Sequence, residues 1–351
     1  MNYSKWIIIA LLFVSCNKED EVNEESNNSE KFSNGLLVLN EGLFQQNNST
    51  LSWVNLATDE VKSDVFLNKN DRLLGDTGND IKRYGGKIYI VVNASSTIEV
   101  LDARTLKSLK QIDMTYNGVA QQPRYIDFYQ NKAYISSFDG YVNELDTSQL
   151  KITKRLAVGA NPEGISIANE VAYVANSGGL NFPDVDTTVY AIDLTSFSVK
   201  DTFTVGKNPG RVVAHESGNV YVVKRGDYGS DPSELIHINT NNGEVTNTEI
   251  SASGIFPFDN EMLITYLDEN SQNSTIASFD LSSNSVVQSG IINGSEIQTL
   301  FGVSKLPDGT IICLDAMGYT NAGYLRFFTP NGNLKKSINV GLNPNNIIYY
   351  E

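Results

Sequence analysis

The chain has 351 residues, a formal charge of −15 and two cysteines, with Asp and Glu (41) well ahead of Lys and Arg (26). Setting aside Lys5 and the acidic segment 17–30 leaves −11 on the remainder, without any basic cluster. That balance argues against nucleic acid and anionic lipid as partners of the folded part, and a single cysteine beyond the leader, Cys313, excludes an internal disulfide framework.

Residues 1–15 read as a processing signal. Lys5 supplies the positive end, and Trp6 to Val14 is an apolar run too short to span a bilayer. Phe13-Val14-Ser15-Cys16 resembles a bacterial lipobox, which implies cleavage before Cys16 and lipidation of its sulfur. Acyl chains there would hold the protein on a membrane without a transmembrane helix. Residues 16–34 read as the lipidated Cys and a flexible tether. Positions 17–30 carry six acids, one Lys and a single apolar residue, Val22, so the segment cannot bury enough surface to fold. Its Lys18-Glu19-Asp20 resembles the lipoprotein export signal of Bacteroidetes, implying the outer face of the outer membrane.

From residue 35 to 351 the chain repeats. Third-strand ends read Trp53-Val54-Asn55, Val100-Leu101-Asp102, Glu144-Leu145-Asp146, Ala191-Ile192-Asp193, His237-Ile238-Asn239, Ser278-Phe279-Asp280 and Phe327-Phe328-Thr329, spaced by 41 to 49 residues. That period with all-β patterning predicts a seven-bladed β-propeller, one four-stranded sheet per blade. The clearest copy places an inner strand at 162–167, a second at 171–176, a third at 188–193 and an outer one at 199–203. Inner strands are expected to be buried on both faces between blades, and outer strands to face water. The repeated Asp or Asn is expected to accept from backbone amides two residues on, a turn device rather than a catalytic series. Tyr89, Tyr134, Tyr173 and Tyr221 recur on second strands and read as blade-to-blade packing. Residues 343–349 match the start of a repeat with nothing after them, while the first repeat lacks an inner strand. The C-terminal strand should therefore close the first blade and leave no open end.

Val158-Gly159-Ala160-Asn161-Pro162-Glu163-Gly164-Ile165 with Ala172-Tyr173-Val174-Ala175-Asn176 resembles the YVTN-type repeat of YncE-like propellers. Val205-Gly206-Lys207-Asn208-Pro209 and Val340-Gly341-Leu342-Asn343-Pro344 repeat its blade-linking part. With the lipobox, the acidic export signal and the opening Leu39-Asn40-Glu41-Gly42, the whole is similar to the Bacteroidetes surface lipoproteins that include the BtuG-type cobalamin-binding proteins. That resemblance implies capture of a corrinoid for a TonB-dependent outer-membrane transporter. A propeller fold alone carries no function.

The long loops 42–50, 177–187, 225–233 and 316–323 fall on one face, opposite short hairpins, and that face is the expected binding surface. Candidate ligand contacts there are Phe44, Gln45, Tyr116, Gln122, Phe182, Tyr228, Tyr319 and Asn321, with Gln46 and Gln121 beside them. Aromatics and neutral amides suit a corrinoid and a glycan equally. Arg124, Arg211, Lys224 and Arg225 lie near the same face and are expected to pair with loop Asp or to meet an anionic ligand group. The Arg225-Gly226-Asp227 triplet is a chance match. No cofactor is expected: only His215 and His237 are present, Cys313 reads as a buried small hydrophobe, and neither a haem motif nor a Gly-x-Ser-x-Gly elbow occurs. The loop acids Asp184, Asp186, Asp227 and Asp231 read as solvated carboxylates, with Ca²⁺ or glycosidase chemistry as the alternatives. The chain thus reads as a binder, not an enzyme, with a protein-interaction scaffold as the second class and a propeller lyase or hydrolase as the third.

Overall fold

The computed structural model describes residues 32–351, which form one ring of seven four-stranded antiparallel sheets. Residues 1–31, on which the processing-signal, lipidation and tether readings fall, lie outside the described residues. The folded part begins before Gly35: Phe32 is buried against Trp53, ring centroids 4.9 Å apart and edge to face, because an aromatic side chain beside an open sheet end is driven to cover it.

The closure works as the repeat demands. Blade I takes its inner strand from Pro344–Tyr350, which pairs antiparallel with Gly35–Asn40, followed outward by Thr50–Asn55 and Val61–Lys62. Blades II to VII follow in chain order, with inner strands Gly78–Tyr84, Pro123–Tyr129, Pro162–Ala168, Pro209–Ala214, Gly254–Phe258 and Leu300–Lys305. Tyr350 locks the seam: its hydroxyl donates to Ala103 O (2.9 Å) and its ring meets Trp53 at 5.2 Å.

The heaviest burial falls on the second strands. Gly35–Asn40 and Val171–Asn176 are buried at every position, and Ile88, Ile90, Val91 and Val92 are fully buried. Each such side chain contributes about 1.5–3 kcal/mol of burial. The inner strands depart from expectation. Pro123–Tyr129 is buried at only two of its seven positions. Inner strands face neighbouring blades on one side and the central channel on the other, so polar and charged residues are tolerated there.

The recurrent tyrosines pack as expected. Tyr89, Tyr134 and Tyr221 are fully buried, facing Phe128, Phe197 and Phe279 at 4.9, 5.8 and 5.2 Å. Burial pushes the Tyr89 and Tyr221 hydroxyls up to about 12. The third-strand acids act as turn acceptors: Asp146 Oδ1 accepts from Ser148 N (2.8 Å) and Gln149 N (2.7 Å), and Asp193 from Ser196 N (2.7 Å). Cys313 is fully buried in the core, and burial raises its thiol. The repeat pattern does not announce the six-residue helix Val65–Asn70 between blades I and II. Asp64 caps it, accepting from Leu67 N (3.2 Å), and Phe66 anchors it in the core.

Candidate functional site

The inner strands enter the channel in register, so one position per blade repeats around its wall. The second residues are Asn345, Asn79, Arg124 and Glu163 in blades I to IV, Gly210 in blade V and Phe301 in blade VII. At this level, on the long-loop side, lies a chamber of about 350 Å³. Its wall has three sectors. Blades III and V contribute Arg124, Tyr125, Arg211 and Arg225; blades VI and VII contribute Phe256, Leu300, Phe301 and Tyr319; blades I and II contribute Glu41, Asn79 and Asn345.

Glu163 organises the cationic sector. It is 4% exposed. Arg124 donates to it through Nε (3.0 Å) and Nη2 (3.3 Å), and Arg225 through Nη1 (3.2 Å). Burial raises the Glu163 carboxyl, but the two guanidinium groups outweigh it and hold the group below its ordinary 4.5. Arg225 reaches this pair only because residue 210 is glycine: a Cβ there would lie 2.6 Å from Arg225 Nε. Gly164 is constrained in the same way, since a Cβ would meet Gly210 O at 2.6 Å.

Arg211 is placed differently. Its guanidinium lies between the rings of Tyr125 (5.5 Å) and Phe256 (4.7 Å). No carboxylate, and no other hydrogen-bond acceptor, contacts it among the described residues. It forms the waist of the channel, since Tyr125, Arg211 and Phe256 also line the next space along the axis, of about 410 Å³. In that second space the charges are committed across blade boundaries. Asp80 accepts from Ile126 N (3.2 Å) and Asn346 Nδ2 (2.9 Å); Lys82 binds Asp127 (2.9 Å), which accepts from Ile167 N (2.8 Å). These bonds staple successive inner strands together.

On the acid–amide side, burial raises the Glu41 carboxyl, opposed by Arg124 and by a hydrogen bond from Asn345 Nδ2 (3.3 Å). Asn345 is 7% exposed, and its Oδ1 has no partner. Phe301 and Tyr319 meet edge to face at 5.5 Å on the opposite wall.

The structure thus brings Arg124, Arg211, Arg225 and Tyr319 together around one chamber. Phe182 and Tyr228 form a second group on the rim, ring centroids 6.3 Å apart and 55% and 75% exposed; Tyr228 Oη accepts from Asn208 Nδ2 (3.0 Å). Phe44 is exposed in its own loop, where Gln45 N donates to Asp76 (3.1 Å). Tyr116 is not in the chamber: it covers the Arg155 guanidinium at 3.8 Å. Gln122 is held through its backbone, its N donating to Ser96 Oγ (2.9 Å), and Asn321 Nδ2 donates to Met317 O within its own loop (3.2 Å).

The expectation that the basic residues pair with loop Asp holds for Lys224, bound to Asp231 (2.7 Å) and Glu234 (2.6 Å). It fails for Arg124 and Arg225, which converge on an inner-strand Glu instead, because the channel brings blades III, IV and V within reach of one carboxylate. Three of the loop acids, Asp186, Asp227 and Asp231, are absorbed locally. Asp186 accepts from Thr188 N and Ala160 N (both 3.0 Å); Asp227 accepts from Asp231 N (2.9 Å) and Gly229 N, which with Lys207 holds it down to about 2. Among the described residues no three His, Cys, Asp or Glu side chains cluster as a metal site. Sequence reading missed Glu41, Asn79, Tyr125, Glu163, Phe256, Phe301 and Asn345 as channel residues. For Asn79, Glu163, Phe301 and Asn345 the signal was present in the repeat register, at the second position of the inner strands.

Residues 34–258, nearly two thirds of the chain, match the family described as Domain of unknown function (DUF5074). No curated protein matches. Among solved structures, the chain is similar to a quinonprotein alcohol dehydrogenase-like protein from Bacteroides thetaiotaomicron, with TM-score 0.67, 14% identity, and coverage of 92% of this chain and 79% of that one. It is also similar to the hydrazine synthase of Kuenenia stuttgartiensis (TM-score 0.59, 16% identity, 74% and 85% covered). A computationally designed protein, Ika8, matches with TM-score 0.55, 11% identity and 88% of each chain covered. At such identities the likeness is one of fold alone.

Proposed function

Since the chain belongs to the DUF5074 family and folds as a seven-bladed propeller, we propose from the site itself that it is a binding protein that receives a ligand on its long-loop face, not an enzyme. The observation that carries this reading is the convergence of Arg124, Arg211, Arg225 and Tyr319 on a chamber of about 350 Å³ at that face. Concave sites of this size, with few convergent polar groups, are the usual form of small-molecule sites. The ring is closed and its inner strands are stapled, so little ordering entropy is lost on binding. The committed state of Asp186, Asp227 and Asp231 supports binding over loop-carboxylate catalysis.

In its sharper form the protein is a lipid-anchored outer-membrane surface protein, held through Cys16, that captures a corrinoid for a TonB-dependent transporter. The leader pattern and acidic tether support the address, and the exposed Phe182–Tyr228 pair supports a large planar ligand resting on the rim. Titration with cyanocobalamin tests it. One-to-one binding that weakens in Tyr228→Ala is the expected result; no heat and no thermal shift would remove the corrinoid. A second reading is favoured by Leu180, 65% exposed near the same rim: such apolar exposure also suits a protein partner. A partner that co-purifies from native membranes, unaffected by small ligands, would select it.

A further inference from the structure

We propose that the upper chamber is a seat for a small ring-bearing monocarboxylate, with Arg211 receiving the carboxylate and Phe301 and Tyr319 facing the ring. This deepens the binding reading by naming a ligand class for the funnel, and rests on that reading only in taking the long-loop face as the ligand's entrance.

Arg211 carries the argument. Arg124 and Arg225 are already satisfied by Glu163, and Gly210 lets Arg225 complete that triad. Arg211 is half-buried, flanked by Tyr125 and Phe256, and no acceptor hydrogen-bonds it; Asp80 acts on it only through space and is itself held by Ile126 N and Asn346 Nδ2. A guanidinium removed from water without a directly bound partner is unfavourable unless something supplies one. Its two flanking rings limit its rotation, so its N–H edge is preset for a planar, two-oxygen acceptor. The surrounding charge agrees: three guanidinium groups and one carboxylate, Glu41, line the chamber, with Glu163 bound to Arg124 and Arg225 behind them, a net positive wall in a chain of formal charge −15. Glu41 and Glu163 also disfavour a doubly charged group, which selects a monocarboxylate over a phosphate. Opposite the cations, the Phe301–Tyr319 pair offers flat apolar surface to a ring. Between these walls the Asn345 Oδ1, buried and without a partner, is an acceptor for a ligand N–H or O–H. A molecule combining one carboxylate, one ring and one donor would satisfy all three sectors.

The test is calorimetry on the full chain with indole-3-carboxylate and benzoate, against acetate, benzyl alcohol and inorganic phosphate. The expected result is saturable one-to-one binding of the ring acids with Kd below about 1 mM, with indole-3-carboxylate tighter than benzoate, and at least tenfold weaker binding of acetate and benzyl alcohol. Arg211→Gln should lose ring-acid binding at least tenfold while keeping a melting temperature near the parent's, because no hydrogen bond or close ion pair is broken. Phe301→Ala should weaken benzoate more than acetate. The proposal is overturned by absence of saturable ring-acid binding, by phosphate binding as tightly as the ring acids, or by an Arg211→Gln protein that binds them unchanged. Ring-acid binding alongside a flat cyanocobalamin titration would uphold the seat and remove the corrinoid; the reverse pattern would remove the seat alone.

Discussion

Arg155 and Arg211 each lie between two aromatic rings, and they do different things. Arg155, on the outer strand of blade III, is covered by Tyr116 at 3.8 Å and Tyr141 at 3.9 Å and is also bound to Asp139 at 2.5 Å. Arg211, at the waist of the channel, lies between Tyr125 and Phe256 with no carboxylate in contact and an open chamber beside it. The flanking rings are alike; the carboxylate makes the difference. Where it is present the arginine's charge is matched within the fold, and where it is absent the guanidinium remains available. An aromatic–arginine group is therefore not evidence of a binding site until its counter-charge has been located.

Both regions depend on the closed ring, so the largest effect comes from opening it. Deleting residues 343–351 removes the inner strand of blade I, the Tyr350–Trp53 contact and the Asn346–Asp80 staple. The expected outcome is loss of the cooperative thermal transition by circular dichroism; a deletion protein melting at the parent temperature would break the closure account.

Next in size is the triad that leaves Arg211 unpaired. Glu163→Gln strands two arginines in a buried site and should cost about 3 kcal/mol in denaturant unfolding. Its pH dependence has a definite sign. The folded carboxyl titrates below 4.5, so its stabilising contribution is present above that value and is lost as pH falls through the folded value. The gap between parent and Glu163→Gln should therefore close on acidification.

Asp139 sharpens the contrast with the charge-matched arginine. Burial raises its carboxyl above the ordinary 3.8, outweighing the hydrogen bonds from Gln121 and Arg155. Ionising it in the folded state is thus unfavourable as pH rises through that window, and its relative contribution grows as pH falls, the opposite slope to Glu163. Asp139→Asn should cost only about 1 kcal/mol at neutral pH, because the pair lies near break-even, and should leave ligand binding in the chamber intact. The smallest stability effect is expected at the rim: Tyr228→Ala, at a side chain 75% exposed, should not move the melting temperature measurably and should report only through ligand titrations.

Much of the fold was legible in the chain. The third-strand turn acceptors Asp102, Asp146, Asp193 and Asp280, the recurrent tyrosines and the orphan segment at 343–349 are local, periodic signals, and each took its expected place. The site was legible only in part. Arg124, Arg211, Arg225 and Tyr319 line the chamber at that face, whereas Tyr116 covers Arg155 and Asn321 bonds within its own loop. Glu163 was read as part of a blade-linking motif, with nothing in its neighbours to mark it as the carboxylate that binds two arginines.

By itself, then, the sequence determined the number of blades, the strands within each and the closure of the ring, because these rest on short-range patterning and on a period that any one copy displays. Only the tertiary structure decided which charges meet. Arg124, Glu163 and Arg225 come from three different blades, with Arg225 62 positions along the chain from Glu163. Their convergence follows from the ring's curvature and from the space that Gly210 leaves open, neither of which a linear pattern can express.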